Sequence, residues 1–392
     1  MPQLIEPDLK IVRELQAAGG GDLKNCFQCA TCSTVCNLTP DHKPFPRKEM
    51  IYAQWGMLDK LVASPDVWLC YQCNDCSVHC PRGARPGDVL AAVRSHVYKN
   101  FAFPSFMGKA LIEPKALPAL LLVPAVIMAL LIFWSAPRAV DGSFVFMQAS
   151  QPIDFNIFMP HSTVDAFFVA GNILIFLFAA IGFTRFWKKL KSATGDETQM
   201  SFIEATKETV EEIISHRRFF ECDENKTRSW AHILVLAGFV GAMVTTGLVL
   251  LLVFLPHYMH LLGMESMNSF FEVPINLWHP VKILGALSGV LMLIGTIWLI
   301  VRRYNEPDKV GASGYADNLF LWILFLTALT GMMSWTIRVA DIAWFAYLSY
   351  YIHLVLVYFL LWYMPYSKFA HMIYRTLALI RAKQTGRMEK MI

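Results

Sequence analysis

The chain has 392 residues, is 55% hydrophobic and 13% aromatic, and carries a formal charge of +4 from 34 basic and 30 acidic side chains. A composition this apolar excludes a disordered chain and is unusual for a wholly soluble one. The small basic excess comes without a basic–aromatic patch, so nothing points to nucleic acid.

Residues 1–110 mix polar and apolar positions. Segments Pro46–Gln54, Asp66–Asn74 and Gly87–Lys99 read as helices, the last with Pro86 before it, and strand-like alternation is scarce. Eight of the nine cysteines fall into two copies of one pattern, Cys26-x2-Cys29-x2-Cys32-x3-Cys36 and Cys70-x2-Cys73-x2-Cys76-x3-Cys80, the second followed by Pro81. This spacing holds paired [4Fe–4S] clusters in two-cluster ferredoxins. Zinc sites instead separate C-x2-C pairs by a longer gap. Disulfides are disfavoured because no secretory signal precedes the region. The fourth cysteine of each run is expected to cross over. One cluster then takes Cys26, Cys29, Cys32 and Cys80, and the other takes Cys70, Cys73, Cys76 and Cys36. The first run departs from the usual pattern, since Asn37 follows Cys36 and the nearest proline is Pro40. Cys222, alone in a polar stretch, reads as an unpaired thiol with no role.

Residues Phe101–Pro114, with Pro104, Gly108 and Pro114, read as a linker. Six apolar runs follow: Ala116–Trp134, Val164–Trp187, Trp230–Leu255, Trp278–Val301, Leu319–Val339 and Trp344–Met364. About 20 helical residues cross a hydrocarbon core of about 30 Å, so six such runs imply a multi-pass membrane protein. With Pro118 and Pro124, the first is expected to be kinked or poorly ordered. Between the second and third runs, Ser201–Ser215 carries Ile203, Val210, Ile213 and Ile214 roughly on one helix face. It is expected to lie on the membrane or on a partner, or to be a solvated loop helix.

Lysine and arginine are lopsided. The loop after the second run holds Arg185, Lys188, Lys189, Lys191, Lys207, Arg217, Arg218, Lys226 and Arg228. Arg302, Arg303 and Lys309 follow the fourth run, and the C-terminal tail adds Lys368, Arg375, Arg381, Lys383, Arg387 and Lys390. The opposite loops carry Arg138 and Arg338. The positive-inside rule therefore puts the cysteine-rich head and the C-terminus on the cytoplasmic side of the inner membrane.

Seven of the eleven histidines lie in or beside the apolar runs: His161, His232, His257, His260, His279, His353 and His371. Polar groups there are costly and usually functional. His232 and His371 are both expected at the cytoplasmic end, where two imidazoles can hold a haem b. His353 stands 18 residues before His371. On one continuous helix that is five turns, about 27 Å, with both side chains at the same angular position. That height suits a second, outer haem.

These residues resemble known families. Ser229–Ile392 is similar to the cytochrome b (gamma) subunit of respiratory nitrate reductase through Trp230-Ala-His232-Ile, Ser288-Gly-Val-Leu-Met-Leu-Ile-Gly295, and His353-x17-His371 with Pro365-Tyr-Ser-Lys368 between. The first 110 residues resemble the C subunit of heterodisulfide reductase. The fusion of both parts resembles the C subunit of the quinone-interacting membrane-bound oxidoreductase of sulfate reducers. The resemblance implies an all-α protein: residues 1–110 a helical ferredoxin-like domain, 111–228 two membrane helices and a cytoplasmic loop, and 229–392 a cytochrome b domain. It further implies flavin-containing A and B subunits as partners, with adenylylsulfate reductase downstream.

The gamma subunits have two histidines ten residues apart on the earlier helix, but here Ala242 stands ten beyond His232, with Met243 next. His279 is the replacement expected to face His353, ahead of His257 and His161. The expectation is an electron-transfer subunit in which menaquinol, two haems b and two [4Fe–4S] clusters serve a cytoplasmic flavoprotein. Quinol chemistry is expected at the outer rim, where Lys282 would bind a quinone carbonyl and His260 accept a proton. The rivals are a heterodisulfide reductase-type, nitrate reductase-type or other quinol-linked module with a different soluble partner, a membrane anchor with structural metals, and a redox-sensing receptor. No internal repeat favours a transporter.

Overall fold

The computed structural model describes residues 6–148, 153–224, 226–254 and 278–387. It is all-helical: among the described residues no strand forms, and one isolated bridge joins Arg138 and Phe144. Six helices are long and apolar enough to cross a membrane: Pro114–Ser135, His161–Thr194, Lys226–Leu252, Pro280–Asn305, Tyr315–Val339 and Ala343–Trp362. They are numbered the first to sixth spans. The third packs on the fourth, the fourth on the fifth and the fifth on the sixth, while the first and second lie against the sixth.

The head is built around helices Leu9–Ala17, Arg47–Gln54 and Pro86–Phe101. The helix expected over Asp66–Asn74 stops at Leu69, because Cys70 is extended and Gln72 and Asn74 take positive φ. The segment expected as a linker folds in part into helix Ser105–Ile112, tucked beside Pro86–Phe101. Helix Leu117–Ser135 continues through Pro124, which is buried within it.

Head and membrane helices share a core. The second span is 34 residues long, about 51 Å at 1.5 Å per residue. It therefore outruns the hydrocarbon and carries Phe186 and Leu190 into the head's apolar cluster. Trp68 stacks on Tyr374 of the terminal helix His371–Gln384 at 5.7 Å and meets Phe186 edge-on at 5.6 Å. All three rings are fully buried. Helix Phe202–Ser215, capped by the Ser201 hydroxyl, lies on the terminal helix and buries Ala205, Thr209 and Glu212 there. Lys383 pairs with Glu208 (3.3 Å) and Glu212 (3.1 Å) across this contact. Ile203, Val210 and Ile214, grouped on one face by the sequence, stay exposed.

The last described turn, ending at Arg387, is strapped to the head. Arg387 Nε lies 2.9 Å from Asp66, which also takes Lys48 at 2.8 Å. Glu49 is wholly buried beside this group, with Lys48 at 3.4 Å.

Candidate redox site

The two cysteine runs fold alike. Each has a left-handed residue two places after its first cysteine (Gln28, Gln72) and one place after its second (Ala30, Asn74). Left-handed residues in such turns let backbone amides point inward, a concave nest suited to anionic sulfur. Gln72 N donates to Cys70 Sγ at 3.2 Å. Short helical turns Thr31–Thr34 and Asp75–Val78 then carry Cys32 and Cys76.

The sulfurs fall into two groups. Burial pushes the Cys32 thiol up to about 11, and Cys26, Cys29 and Cys80 also raise it. Burial pushes Cys36 up to about 12, and Cys70 and Cys73 add to the rise. Cys76 is raised by burial, then by Cys70, Cys73 and Cys36. Buried thiols that raise one another's values cannot all ionise unless a cation shares the site, and eight sulfurs in two fours is the donor chemistry of paired cubanes. The first group faces outward: Cys29 is exposed, Phe27 is 67% exposed, and the Arg82 guanidinium lies 4.2 Å over the Phe27 ring.

The second group faces the membrane helices. Arg94 donates to the Cys70 carbonyl at 2.8 Å, and Arg375 of the terminal helix reaches it at 3.5 Å. Arg228, opening the third span, donates to Gln72 O at 3.0 Å and to Tyr71 O. The loop between the fourth and fifth spans also latches on: Asn74 donates to Asp308 O at 2.9 Å, and Ala312 N to Asp88 at 3.0 Å. Gly311 makes that latch possible. Its φ is +81°, and a Cβ there would meet Asp88 Oδ1 at 2.6 Å.

Cys222 is neither remote nor solvated. It is fully buried, and its sulfur, Cys73 Sγ and an Asp75 carboxylate oxygen all lie within 4.8 Å of one another. Cys222 hydrogen-bonds Cys73 and holds that thiol below its ordinary range, while its own is raised. The separation of 146 positions from Cys76 hid this pairing from sequence spacing.

The histidines sit one layer below. Tyr71, next to Cys70, meets Phe219 at 5.1 Å, and Phe219 meets His232 at 5.6 Å. His371 lies within electrostatic range of His232. His216, which sequence reasoning passed over because it lies outside the spans, places Nε2 3.0 Å from His232 Nδ1. His371 Nδ1 is 2.7 Å from Lys368 O. Burial pushes the His371 imidazole down to about 4, and Lys368 adds to the fall.

His353 is elsewhere. The helix does not run on to His371: it ends at Trp362, and 3-10 turns at Met364–Tyr366 and Lys368–Ala370 intervene. Pro365 lacks the N–H a continuing helix needs, so the five-turn alignment expected from sequence does not hold. His353 Nδ1 lies 3.0 Å from Thr327 O and 3.2 Å from the Thr330 hydroxyl of the fifth span. Its ring lies on Gly331, where a Cβ would stand 2.9 Å from Cε1. For His371 and His353, Nδ1–H donation to a carbonyl leaves the Nε2 lone pair available, the state an iron-ligating imidazole needs; His232 reaches it by donating to His216. His279 is different: it caps the fourth span, its Nδ1 accepting from Val281 N at 3.3 Å. Lys282 is half-buried in the first turn of that span. His161 opens the second span. His257 and His260 lie outside the described residues.

Known proteins bear on both halves. Residues 22–84 match the family model for a 4Fe-4S dicluster domain, which spans all eight paired cysteines. Residues 112–391 match the family described as Citrate utilization protein B. The chain belongs to this family. Citrate utilization protein B of Escherichia coli is 25% identical over 408 aligned residues, covering 98% of this chain and 96% of the relative. The C subunit of the H(2):CoB-CoM heterodisulfide,ferredoxin reductase of Methanothermobacter marburgensis is 32% identical over 93 residues, 24% of this chain and 50% of the relative. A protein of Archaeoglobus profundus that is itself like the C subunit of heterodisulfide reductase is 33% identical over 97 residues, with the same coverage. The chain thus spans about half the length of these heterodisulfide reductase relatives. No solved structure matches. The head is therefore an iron–sulfur electron-transfer module related to the C subunit of heterodisulfide reductase, carried on a multi-pass membrane portion. The second match runs unbroken through all six spans.

Proposed function

We propose that this protein is the membrane electron-transfer subunit of a quinone-linked oxidoreductase, joining menaquinol or menaquinone to a soluble flavin-containing partner on the head side. The observation that carries the reading is the run of contacts from Cys70 through Tyr71 and Phe219 to His232, with His371 beside it. In this reading Cys26, Cys29, Cys32 and Cys80 hold one [4Fe–4S] cluster, and Cys36, Cys70, Cys73 and Cys76 the other. His232 and His371 hold a haem b. His353 holds a second, for which His279 would have to release the Val281 N–H it now caps. When bound, clusters and haems supply one-electron carriers. The chain itself supplies the nests that orient the sulfurs, the carbonyls that fix the imidazole tautomers, and the arginines that hold the head against the spans. Lys282 and His260 are the proposed quinol-binding and proton-accepting side chains. The lysine and arginine asymmetry supports placing head and C-terminus on the cytoplasmic side of the inner membrane. The domain division at 110 and 228 belongs to the same reading.

For the soluble partner, the resemblance to the sulfate reducers' complex favours flavoprotein A and B subunits and adenylylsulfate reductase. The near full-length similarity to a citrate utilization protein supports a second reading, a redox enzyme of citrate utilisation. Purification from native membranes, with haem and iron assays and identification of co-purifying subunits, separates them. Reduction by a menaquinol analogue should produce a b-type haem spectrum and then a cluster signal. A preparation with iron and sulfide but no haem would sink the quinol-linked reading.

A further inference from the structure

We infer that Cys222 is a positioning residue for the membrane-facing cluster: its thiol donates a hydrogen bond to Cys73 and thereby raises that cluster's reduction potential. The inference rests on the [4Fe–4S] reading of the second cysteine group, but not on the haem or quinol readings.

Geometry carries it. Cys222, Cys73 and Asp75 form one buried group with ligating atoms within 4.8 Å of each other. Two thiolates on different irons of one cubane stand farther apart than this, so a sulfur within 4.8 Å of Cys73 Sγ is a neighbour and not a fifth ligand. The loop that carries Cys222 is fixed to both cysteine runs. The Asp75 carboxylate accepts from Asp223 N at 3.2 Å and Glu224 N at 3.0 Å, immediately after Cys222. Asn37, next to Cys36, donates to Glu221 O at 2.9 Å, immediately before it. Three residues before Cys222, Phe219 touches both Tyr71 and His232. The loop therefore presses one thiol onto one sulfur of the cluster that faces the spans.

Hydrogen bonds to ligating sulfur are among the factors that set a cluster's potential. A donor stabilises the reduced cluster, which holds more negative charge, so its loss lowers the potential.

The test is an EPR-monitored redox titration of the full-length chain in detergent, as wild type, Cys222→Ala and Cys222→Ser, with iron and sulfide assayed in each. The Ala variant should keep its iron and shift one of the two cluster components to lower potential. The expected size is about a tenfold change in reduced-to-oxidised ratio, about 59 mV for one electron. The other component should not move. The Ser variant retains a donor and should shift less. Unchanged potentials in both cysteine variants overturn the inference, as does loss of one cluster's iron, which would make Cys222 a ligand. Absence of clusters from the wild type would instead overturn the [4Fe–4S] reading.

Discussion

Replacing Glu49 by Gln should stabilise the protein at alkaline pH and do little at acid pH. Glu49 is fully buried, and neither of its carboxylate oxygens has a hydrogen-bond partner among the described residues. Burial first, and then the charge of Asp66, pushes its carboxyl up to about 7 from the ordinary 4.5. Asp66 is held low by Lys48 and Arg387 despite its burial, so the proton shared by this pair resides on Glu49. The sign follows. A carboxyl whose folded value lies above its unfolded value contributes its stability below pH 4.5 and loses it as pH rises through 7. At 1.36 kcal/mol per pH unit the loss is on the order of 3 kcal/mol above pH 7, with little solvent screening at a wholly buried site. Glutamine matches the carboxyl in size and cannot ionise. Thermal unfolding of the full chain in detergent should show Glu49→Gln melting about 4 °C above the parent at pH 8 and alongside it at pH 4.5. A variant that melts with or below the parent at pH 8 would refute the assignment of the proton.

Arg387→Met should release the C-terminal strap. Lys48 still faces Asp66, so the cost should fall below the roughly 3–5 kcal/mol of an orphaned buried charge, and limited proteolysis should cut the tail sooner. Cys36→Ala should perturb the EPR component built on Cys70, Cys73 and Cys76; loss of the Cys26–Cys32 component alone would count against crossed ligation. His232→Ala and His371→Ala should remove the same haem absorption component and His353→Ala a different one; one component lost in all three would leave a single haem. Lys282→Ala should slow turnover with a menaquinol analogue while both haem components persist; unchanged turnover would move the quinol away from the far rim.

Hydropathy and cysteine spacing made the six spans and the paired motif legible, because both are local properties. The span boundaries were less so. The second span overshoots the expected Trp187 to Thr194 because its tail exchanges lipid for the head's core, through Phe186 and Leu190. Helix Ser105–Ile112 was obscured by Pro104 and Gly108, of which Pro104 is its N-cap and Gly108 lets it approach the Lys99 carbonyl. The His353–His371 alignment failed on Pro365. His216 and Cys222 were invisible for another reason. Each acts on a partner in a different element, His232 and Cys73, and no local pattern encodes such a pairing.

The contacts divide the head unequally, and the division has a direction. Arg228, Arg375, Asp308, Ala312 and the Glu221–Glu224 loop all grip the second cysteine run or its neighbours. The first run meets that loop through Asn37 and otherwise presents Cys29 and Phe27 outward. Burial and charge-assisted hydrogen bonds change a cluster's potential, so two runs with the same spacing need not hold equivalent centres. The membrane-facing group is enclosed, surrounded by arginine and touched by the Cys222 thiol. The outward group is open to water and to a docking partner. In the proposed reading the soluble redox partner meets the first run, while the second is held against the spans. Two near-identical motifs thus sit in different surroundings, set by what the rest of the chain packs against them.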